Sequence, residues 1–143
     1  MKKLLLILSI TLFVSCSSDD DSNENNDNSI YGTWKPYASQ SYNPETDETT
    51  ELTYFTDCAQ NSRYTFKSNG DLIITSYSRN VDNECILRSE NEVIDWRIVS
   101  EGVLYIEDSD SDFYYQVNEN ELRIEEIDDY NDDTNDIVIY KRI

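Results

Sequence analysis

The stretch that decides the fold is RYTFKSNGDLIITSYS, residues 63–78, in which two strand-like segments flank the dipeptide Asn69-Gly70. Both residues of that dipeptide tolerate a positive φ, which the tight turns of β-hairpins require. Apolar residues recur at every second position on both sides of it, and a period of two places them on one face of a sheet. These apolar residues are Tyr64, Phe66, Leu72 and Ile74. The stretch therefore predicts an antiparallel hairpin with one face turned toward a core.

The chain on both sides of the hairpin, from residue 30 to residue 143, repeats this rhythm of short strands and turns. It is rich in tyrosine, isoleucine, threonine and valine and shows no convincing helical periodicity. A first strand at 31–35 should end near Pro36, and residues 39–50 should form a long loop. Further strands are expected at 51–56, 93–99, 103–107, 113–117, 121–127 and 137–143.

About nine short strands at close spacing predict an all-β domain. The arrangement that suits them is an antiparallel up-and-down β-barrel of about eight strands, because closure removes the edges of the sheet. A two-sheet β-sandwich is the alternative.

Alternation along successive strands assigns ten side chains to the face that barrel closure turns inward. They are Trp34, Tyr64, Phe66, Leu72, Ile74, Trp96, Ile98, Leu104, Ile106 and Tyr115. A barrel of about eight strands can just hold a small ligand, so this set is the predicted binding interior. The alternative is that the same rings simply fill the barrel as core.

The N-terminal stretch reads as an export signal. Two lysines precede the apolar run 4–14, which is too short to span a bilayer comfortably and ends in Ser15 before Cys16. The motif at 13–16 resembles the lipobox of bacterial lipoproteins, although phenylalanine stands where leucine is usual. That resemblance implies that residues 1–15 are removed and that Cys16 is lipidated. An ordinary secretory signal with an incidental cysteine is the alternative.

The segment after the cysteine, residues 17–29, contains no apolar side chain and cannot bury surface to offset its ordering entropy. We therefore expect residues 16–29 to be a flexible acidic tether between the anchor and the domain at 30–143. Its serine and aspartate run resembles the surface-export signal of lipoproteins in the Bacteroidetes. This implies an outer-membrane lipoprotein exposed at the cell surface, and a plain spacer facing the periplasm is the alternative.

The charge of the chain limits its partners. The full sequence carries eleven basic and thirty acidic residues. Both lysines of the signal segment are lost with it, which leaves nine against thirty, a formal charge of −21. Such a field repels nucleic acid and anionic lipid headgroups, so no nucleic-acid partner is expected and membrane attachment must come from acyl chains. We expect a monomer.

Cys58 and Cys85 are the only thiols left once Cys16 is used as an anchor. In an exported chain such a pair predicts a disulfide, which would stabilise the fold by roughly 3–4 kcal/mol in the chain-entropy model. Two free buried thiols are the alternative.

The residue inventory removes most catalytic chemistry. There is no histidine for a nucleophile triad or a histidine-bearing metal site, and three glycines leave no phosphate-binding loop. The thirty acidic residues could still supply a carboxylate pair that acts as acid and base. The ordinary role of such residues, however, is solvated surface charge. We expect neither enzymatic activity nor a cofactor.

One acidic turn resembles a calcium loop. Asp108, Asp110 and Asp112 stand at alternate positions, as in an EF-hand, but Phe113 occupies the position that needs glycine. We expect weak calcium binding at most, and an ordinary acidic hairpin turn is the alternative.

Several short motifs together are similar to the lipocalin-like lipoproteins of bacteria over residues 30–143. Gly32-Thr33-Trp34 matches the Gly-x-Trp of a lipocalin first strand, and Tyr64-Thr65-Phe66 precedes the turn at 69–71 as in that family. The two cysteines and Trp96 follow at corresponding places. The resemblance implies a barrel with an internal cavity, with Trp34 closing one end and Trp96 in the core. It carries over no catalytic residue.

Two function classes follow from these observations. The first is a lipid-anchored binding module that holds a small apolar or glycan-like ligand in the barrel. The second is an envelope structural or protein-interaction module with a filled barrel. A cavity lined by the inward set favours the first class, and a packed interior favours the second.

Overall fold

The computed structural model describes residues 29–107, 109, 111–126 and 134–143. The expected signal peptide, Cys16 and the tether up to residue 28 lie outside the described residues. The described chain is all β apart from one 3-10 turn at Ala59–Asn61. Its strands are β1 (Gly32–Asn43), β2 (Glu48–Thr49), β3 (Thr53–Tyr54), β4 (Arg63–Phe66), β5 (Asp71–Arg79), β6 (Cys85–Ser100), β7 (Val103–Ile106), β8 (Asp112–Asn118), β9 (Glu121–Glu126) and β10 (Asn135–Arg142). Within these ranges no helix is long and apolar enough to cross a membrane.

Eight of these strands close into an antiparallel barrel. Sequential neighbours pair from β4 to β10, β1 pairs with β4, and the pairing of β1 with β10 completes the circle. The short strands β2 and β3 pair only with β1 and lie outside the closed path. The predicted all-β, up-and-down barrel is confirmed, and the sandwich is excluded.

The hairpin predicted at Asn69-Gly70 is confirmed as β4–β5. Tyr64 stands opposite Ile74 and Phe66 opposite Leu72, as the alternation requires. Gly70 has a φ of 94°, a conformation that costs glycine little and other residues more. The two strands are therefore held in a register that points one apolar face into the barrel.

The predicted end of the first strand near Pro36 is wrong, and so is the loop expected at residues 39–50. β1 runs on to Asn43, and β2 also lies within the predicted loop. The register of β1 against β10 shifts between Pro36 and Ala38, which marks a β-bulge. A bulge is one of the few places where a sheet accommodates a residue without an N–H, so the proline bends the strand without ending it.

Two other predicted boundaries are corrected. The strand expected at 93–99 begins at Cys85, because the polar residues before Val93 pair with β5 back to Arg79. The strand expected at 51–56 shrinks to Thr53–Tyr54. The bounds of both strands are set by hydrogen-bond pairing with a neighbouring strand. This pairing cannot be predicted from the polarity of the side chains.

The core of the barrel is one apolar cluster contributed by most of the strands. Its buried members are Ile30, Trp34, Phe66, Leu72, Trp96, Leu104, Leu122 and Ile124. Burial of such side chains contributes about 25 cal/mol per Å² of apolar surface and is the main stabilising term of the fold.

The disulfide between Cys58 and Cys85 is confirmed, with a Cα–Cα distance of 5.5 Å. Cys58 is buried and begins the 3-10 turn, whereas Cys85 is exposed at the start of β6. The bridge ties the connection before β4 to the β5–β6 hairpin. The hydroxyl of Ser62 adds to this link by accepting a hydrogen bond from the backbone N–H of Tyr77 at 2.9 Å.

Candidate functional site

One end of the barrel is closed by Trp34, whose side chain has no exposure to solvent. Its indole Nε1 donates a hydrogen bond to the carbonyl of Ile30 at 2.8 Å, so burial leaves no polar atom unpaired. The guanidinium carbon of Arg142 lies 4.2 Å from the centre of the Trp34 ring. The first strand and the last strand together form this plug.

Arg142 also binds the chain around the plug through three hydrogen bonds to backbone carbonyls. Its Nη2 donates to Ser29 at 2.6 Å, its Nη1 to Tyr31 at 3.0 Å and its Nε to Glu119 at 3.2 Å. An arginine spreads five N–H donors over a planar fork and can reach acceptors that lie apart, whereas the three donors of a lysine radiate from a single nitrogen. The closed end is thus a rigid base for the rest of the interior.

A cavity of about 360 Å³ occupies the interior toward the other end of the barrel. This volume falls at the lower end of the range found for small-molecule pockets. The lining residues are Tyr64, Phe66, Leu72, Ile74, Ile106, Phe113, Ile124, Glu126, Asp136, Val138 and Tyr140.

The ten predicted interior residues divide into three groups. Tyr64, Phe66, Leu72, Ile74 and Ile106 line the cavity. Trp34, Trp96, Leu104 and Tyr115 belong to the core cluster or pack against it, but they do not line the cavity. Ile98 lies outside the core and is 44% exposed. Half of the predicted set therefore forms the cavity wall.

The position of Ile98 has a physical reason. The strand β6 continues past Asp95, which stands opposite Asp71, the first residue of β5. Beyond that point β5 no longer flanks β6, and a register shift follows Ile98. The prediction that Ile98 faces inward requires a neighbouring strand on both sides of it. Because the strands of the barrel are staggered, β5 does not extend far enough to flank Ile98.

Six lining residues were not in the predicted set. Phe113, Ile124, Val138 and Tyr140 come from the last three strands. The period-two rule could have found Ile124, which stands between Arg123 and Glu125. Val138 and Tyr140 lie in a continuous apolar run, residues 137–140, in which polarity does not distinguish the two faces of the strand. Glu126 and Asp136 carried no such signal, since they resemble the other acidic residues of the chain.

Aromatic rings shape the cavity wall. The rings of Tyr64 and Tyr140 meet edge to face with centroids 5.2 Å apart. Burial raises the pKa of the Tyr140 hydroxyl, and the neighbouring Tyr64 raises it further. Burial likewise raises the pKa of Tyr64. Both rings therefore stay neutral at physiological pH and present a largely apolar surface.

The mouth of the cavity carries two carboxylates, at the end far from Trp34. Glu126 is the last residue of β9, and Asp136 is the second residue of β10. The register that pairs Glu125 with Ile137 places Glu126 across from Asp136, one step nearer the mouth. Oδ1 of Asp136 accepts a hydrogen bond from the hydroxyl of Ser41 at 2.8 Å.

The charge at the mouth is of one sign, because no lysine or arginine is among the residues that line the cavity. The described part of the chain also contains no group of three histidine, cysteine, aspartate or glutamate residues that could hold a metal ion. Of the predicted calcium candidates, Asp108 and Asp110 lie outside the described residues, and Asp112 begins β8.

A second depression of similar volume lies on the outside of the barrel near the β4–β5 turn. Its lining is mostly polar, with Asn69, Asp95 and Glu107 among its residues. The Arg97 guanidinium stacks over Tyr105 there at 4.4 Å. It offers an apolar ligand far less contact surface than the barrel cavity does.

No protein-family model matches the chain, and no curated protein sequence does either. An apolar chamber with a plugged base and a charged rim is suited to holding a small molecule by burial and orienting it by charge.

Proposed function

We propose that this protein is a lipid-anchored, non-catalytic lipoprotein of the outer membrane whose lipocalin-like barrel binds a small apolar ligand. The observation that carries the proposal is the cavity of about 360 Å³ inside the barrel. A structural or protein-interaction module with a filled barrel has no need of such a space, and close packing is the normal state of a protein interior.

The wall of the cavity favours an apolar ligand over a glycan. Apart from the rim, its polar groups are the hydroxyls of Tyr64 and Tyr140. A sugar buried here would leave hydroxyls without partners, and each buried unsatisfied group costs roughly 1–3 kcal/mol. An apolar ligand would instead gain about 25 cal/mol for each Å² of its surface removed from water.

The position of the chain entry fits an anchored binding protein. The carbonyl of Ser29 is hydrogen-bonded to Arg142, so the chain enters the barrel beside the plug. A lipid on Cys16 would be attached through the closed end, and the mouth at Glu126 and Asp136 lies at the opposite end. In this proposal the protein is a monomer at the cell surface whose cavity opens away from its own membrane.

The proposal is tested by calorimetric titration of the purified domain, residues 29–143 with the disulfide formed, against a panel of octanol, medium-chain ketones and oligosaccharides. We expect saturable binding of apolar members and none of oligosaccharides. The double variant Ile74→Phe/Ile106→Phe fills the cavity from two sides and should abolish binding. Val93→Phe is the matched control, because Val93 is 58% exposed.

Three results would contradict the proposal. Flat titrations with every compound would favour the structural role. Binding of oligosaccharides alone would overturn the apolar assignment. Binding that survives the double variant while that variant remains folded would place the ligand elsewhere on the molecule.

A further inference from the structure

We infer that the ligand of the barrel is a cationic amphiphile, a small apolar body that carries an ammonium-type head group. This inference rests on the proposed function and specifies the chemistry of the same cavity. The head group would lie at the mouth between Glu126 and Asp136, and the apolar body would extend toward Leu72 and Ile124.

The first support is the charge at the rim. Two carboxylates stand on adjacent strands across from each other, and like charges in that arrangement repel. Asp136 accepts a hydrogen bond from the neutral hydroxyl of Ser41, and no lysine or arginine of the described residues forms an ion pair with either carboxylate. A cation seated between the two carboxylates relieves this repulsion, whereas the carboxylate of a fatty acid would add to it.

The second support is independent of the carboxylates and comes from the wall. Four aromatic rings line the cavity, those of Tyr64, Phe66, Phe113 and Tyr140. The face of an aromatic ring carries partial negative charge and attracts cations, most strongly where water is excluded. Of these rings, that of Phe113 stands at the mouth, because Phe113 pairs with Glu126. Tyr64 and Tyr140 lie nearer the closed end, where they would contact the apolar body of the ligand.

The third support is the absence of an anion site in the described wall. None of its residues is a lysine or an arginine, and those are the side chains that fix carboxylates and phosphates. Arg142 is held at the opposite end of the barrel by Trp34 and three backbone carbonyls. An anionic head group would therefore meet only repulsion at the mouth.

The expected size of the preference follows from Coulomb's law. A positive charge about 4 Å from one carboxylate raises affinity roughly fivefold at the dielectric constant of bulk water and by about two to three orders of magnitude near a protein surface. Even at the low end of this range, two carboxylates give about a tenfold or greater gain in affinity over a neutral analogue.

The test uses three probes with the same tail, namely octylammonium, octanol and octanoate, titrated calorimetrically against the purified full-length protein. We expect octylammonium to bind at least about tenfold more tightly than octanol, and octanoate to bind more weakly than either. The double variant Glu126→Gln/Asp136→Asn keeps the shape of the rim and removes its charge. In that variant the affinities of octylammonium and octanol should converge.

Glu125→Gln is the matched control. Glu125 neighbours Glu126 on β9, but it is absent from the cavity lining and accepts a hydrogen bond from Nδ2 of Asn135 at 2.7 Å. Its substitution changes the net charge without changing the rim, so the preference for octylammonium should persist. Added salt should reduce that preference and leave octanol binding nearly constant.

The outcomes separate this inference from the proposed function. If octanol binds but octylammonium binds no better, the cation preference is wrong and the apolar binding function stands. If the preference survives the double variant, or is lost equally in Glu125→Gln, the rim is not its source and the inference fails. If none of the three probes binds, both proposals fail.

Discussion

Removal of the Arg142 side chain should destabilise the barrel more than any other substitution of an exposed or half-buried cation in the described chain. The change Arg142→Ala deletes three hydrogen bonds to backbone carbonyls and the stacking on Trp34. These contacts join the start of β1, the β8–β9 turn and the end of β10. Their loss should loosen the closed end of the barrel as a unit.

The magnitude follows from the exposure of each contact. The bond to Ser29 is partly buried and, with a charged donor, should contribute about 1.5 kcal/mol. The bonds to Tyr31 and Glu119 are exposed, and water can replace the donor there, so about 0.5 kcal/mol each is expected. Stacking on Trp34 adds about 0.5 kcal/mol. Together the loss is about 3 kcal/mol.

Equilibrium urea unfolding, followed by tryptophan fluorescence, measures this loss. With a slope of about 2 kcal/mol per molar urea, the midpoint should fall by about 1.5 M. The midpoint of Arg142→Lys should lie between those of Arg142→Ala and the wild type, because a lysine keeps the charge but lacks the three separate nitrogens that bond these carbonyls.

Arg97→Ala is the control for this experiment. Arg97 lies 4.4 Å from the Tyr105 ring, but its stacking is not joined to a set of backbone hydrogen bonds. Its removal should cost about 0.5–1 kcal/mol. If Arg142→Ala is no more destabilising than Arg97→Ala, the carbonyl contacts do not hold the closed end and the reasoning fails.

Three further predictions concern the cysteines and the acidic turn. Cys16→Ala should release the protein from membranes and remove its fatty acid, and a variant that still partitions with membranes would refute lipidation at that residue. Reduction of the Cys58–Cys85 bridge should lower the free energy of unfolding by roughly 3–4 kcal/mol, measured by urea unfolding with and without reductant against a Cys58→Ser/Cys85→Ser variant that should not respond. Calcium should bind weakly at most near Asp110, so calorimetry should show little difference between the wild type and Asp110→Asn, and tight stoichiometric binding by the wild type would contradict this.

Local signals in the sequence predicted the fold well where a residue had one dominant role. Asn69-Gly70 permits a conformation that few other pairs adopt easily, and it predicted the hairpin with its register. Pro36 is also a strong local signal, but the strand end that it predicted is wrong. Its missing N–H argues against a strand interior, and the bulge that accommodates it depends on the register between β1 and β10, which the local sequence does not reveal.

The site was less predictable than the fold. Tyr64 and Phe66 lie on a strand whose alternation is clear, so their inward direction could be predicted from the sequence. Glu126 and Asp136 are charged, as most surface residues are, so the sequence gives no sign that they line a cavity. The pairing of β9 with β10 brings them to the same rim. Their side chains are chemically the same as those of the other acidic residues. Only their positions at the mouth of the cavity distinguish them.

The pairing of β1 with β10 has a consequence for how the protein folds. Residues joined across this seam, from Trp34–Arg142 to Tyr42–Asn135, lie roughly a hundred positions apart in the chain. Most other strand pairs of the barrel are local hairpins. The largest entropic cost of loop closure is therefore that of pairing β1 with β10. The disulfide shortens the path by 27 residues, which lowers that cost by only about 0.3 kcal/mol. We therefore expect closure of the seam to be the slow step of folding in both redox states, with two strand edges open to other chains until it occurs.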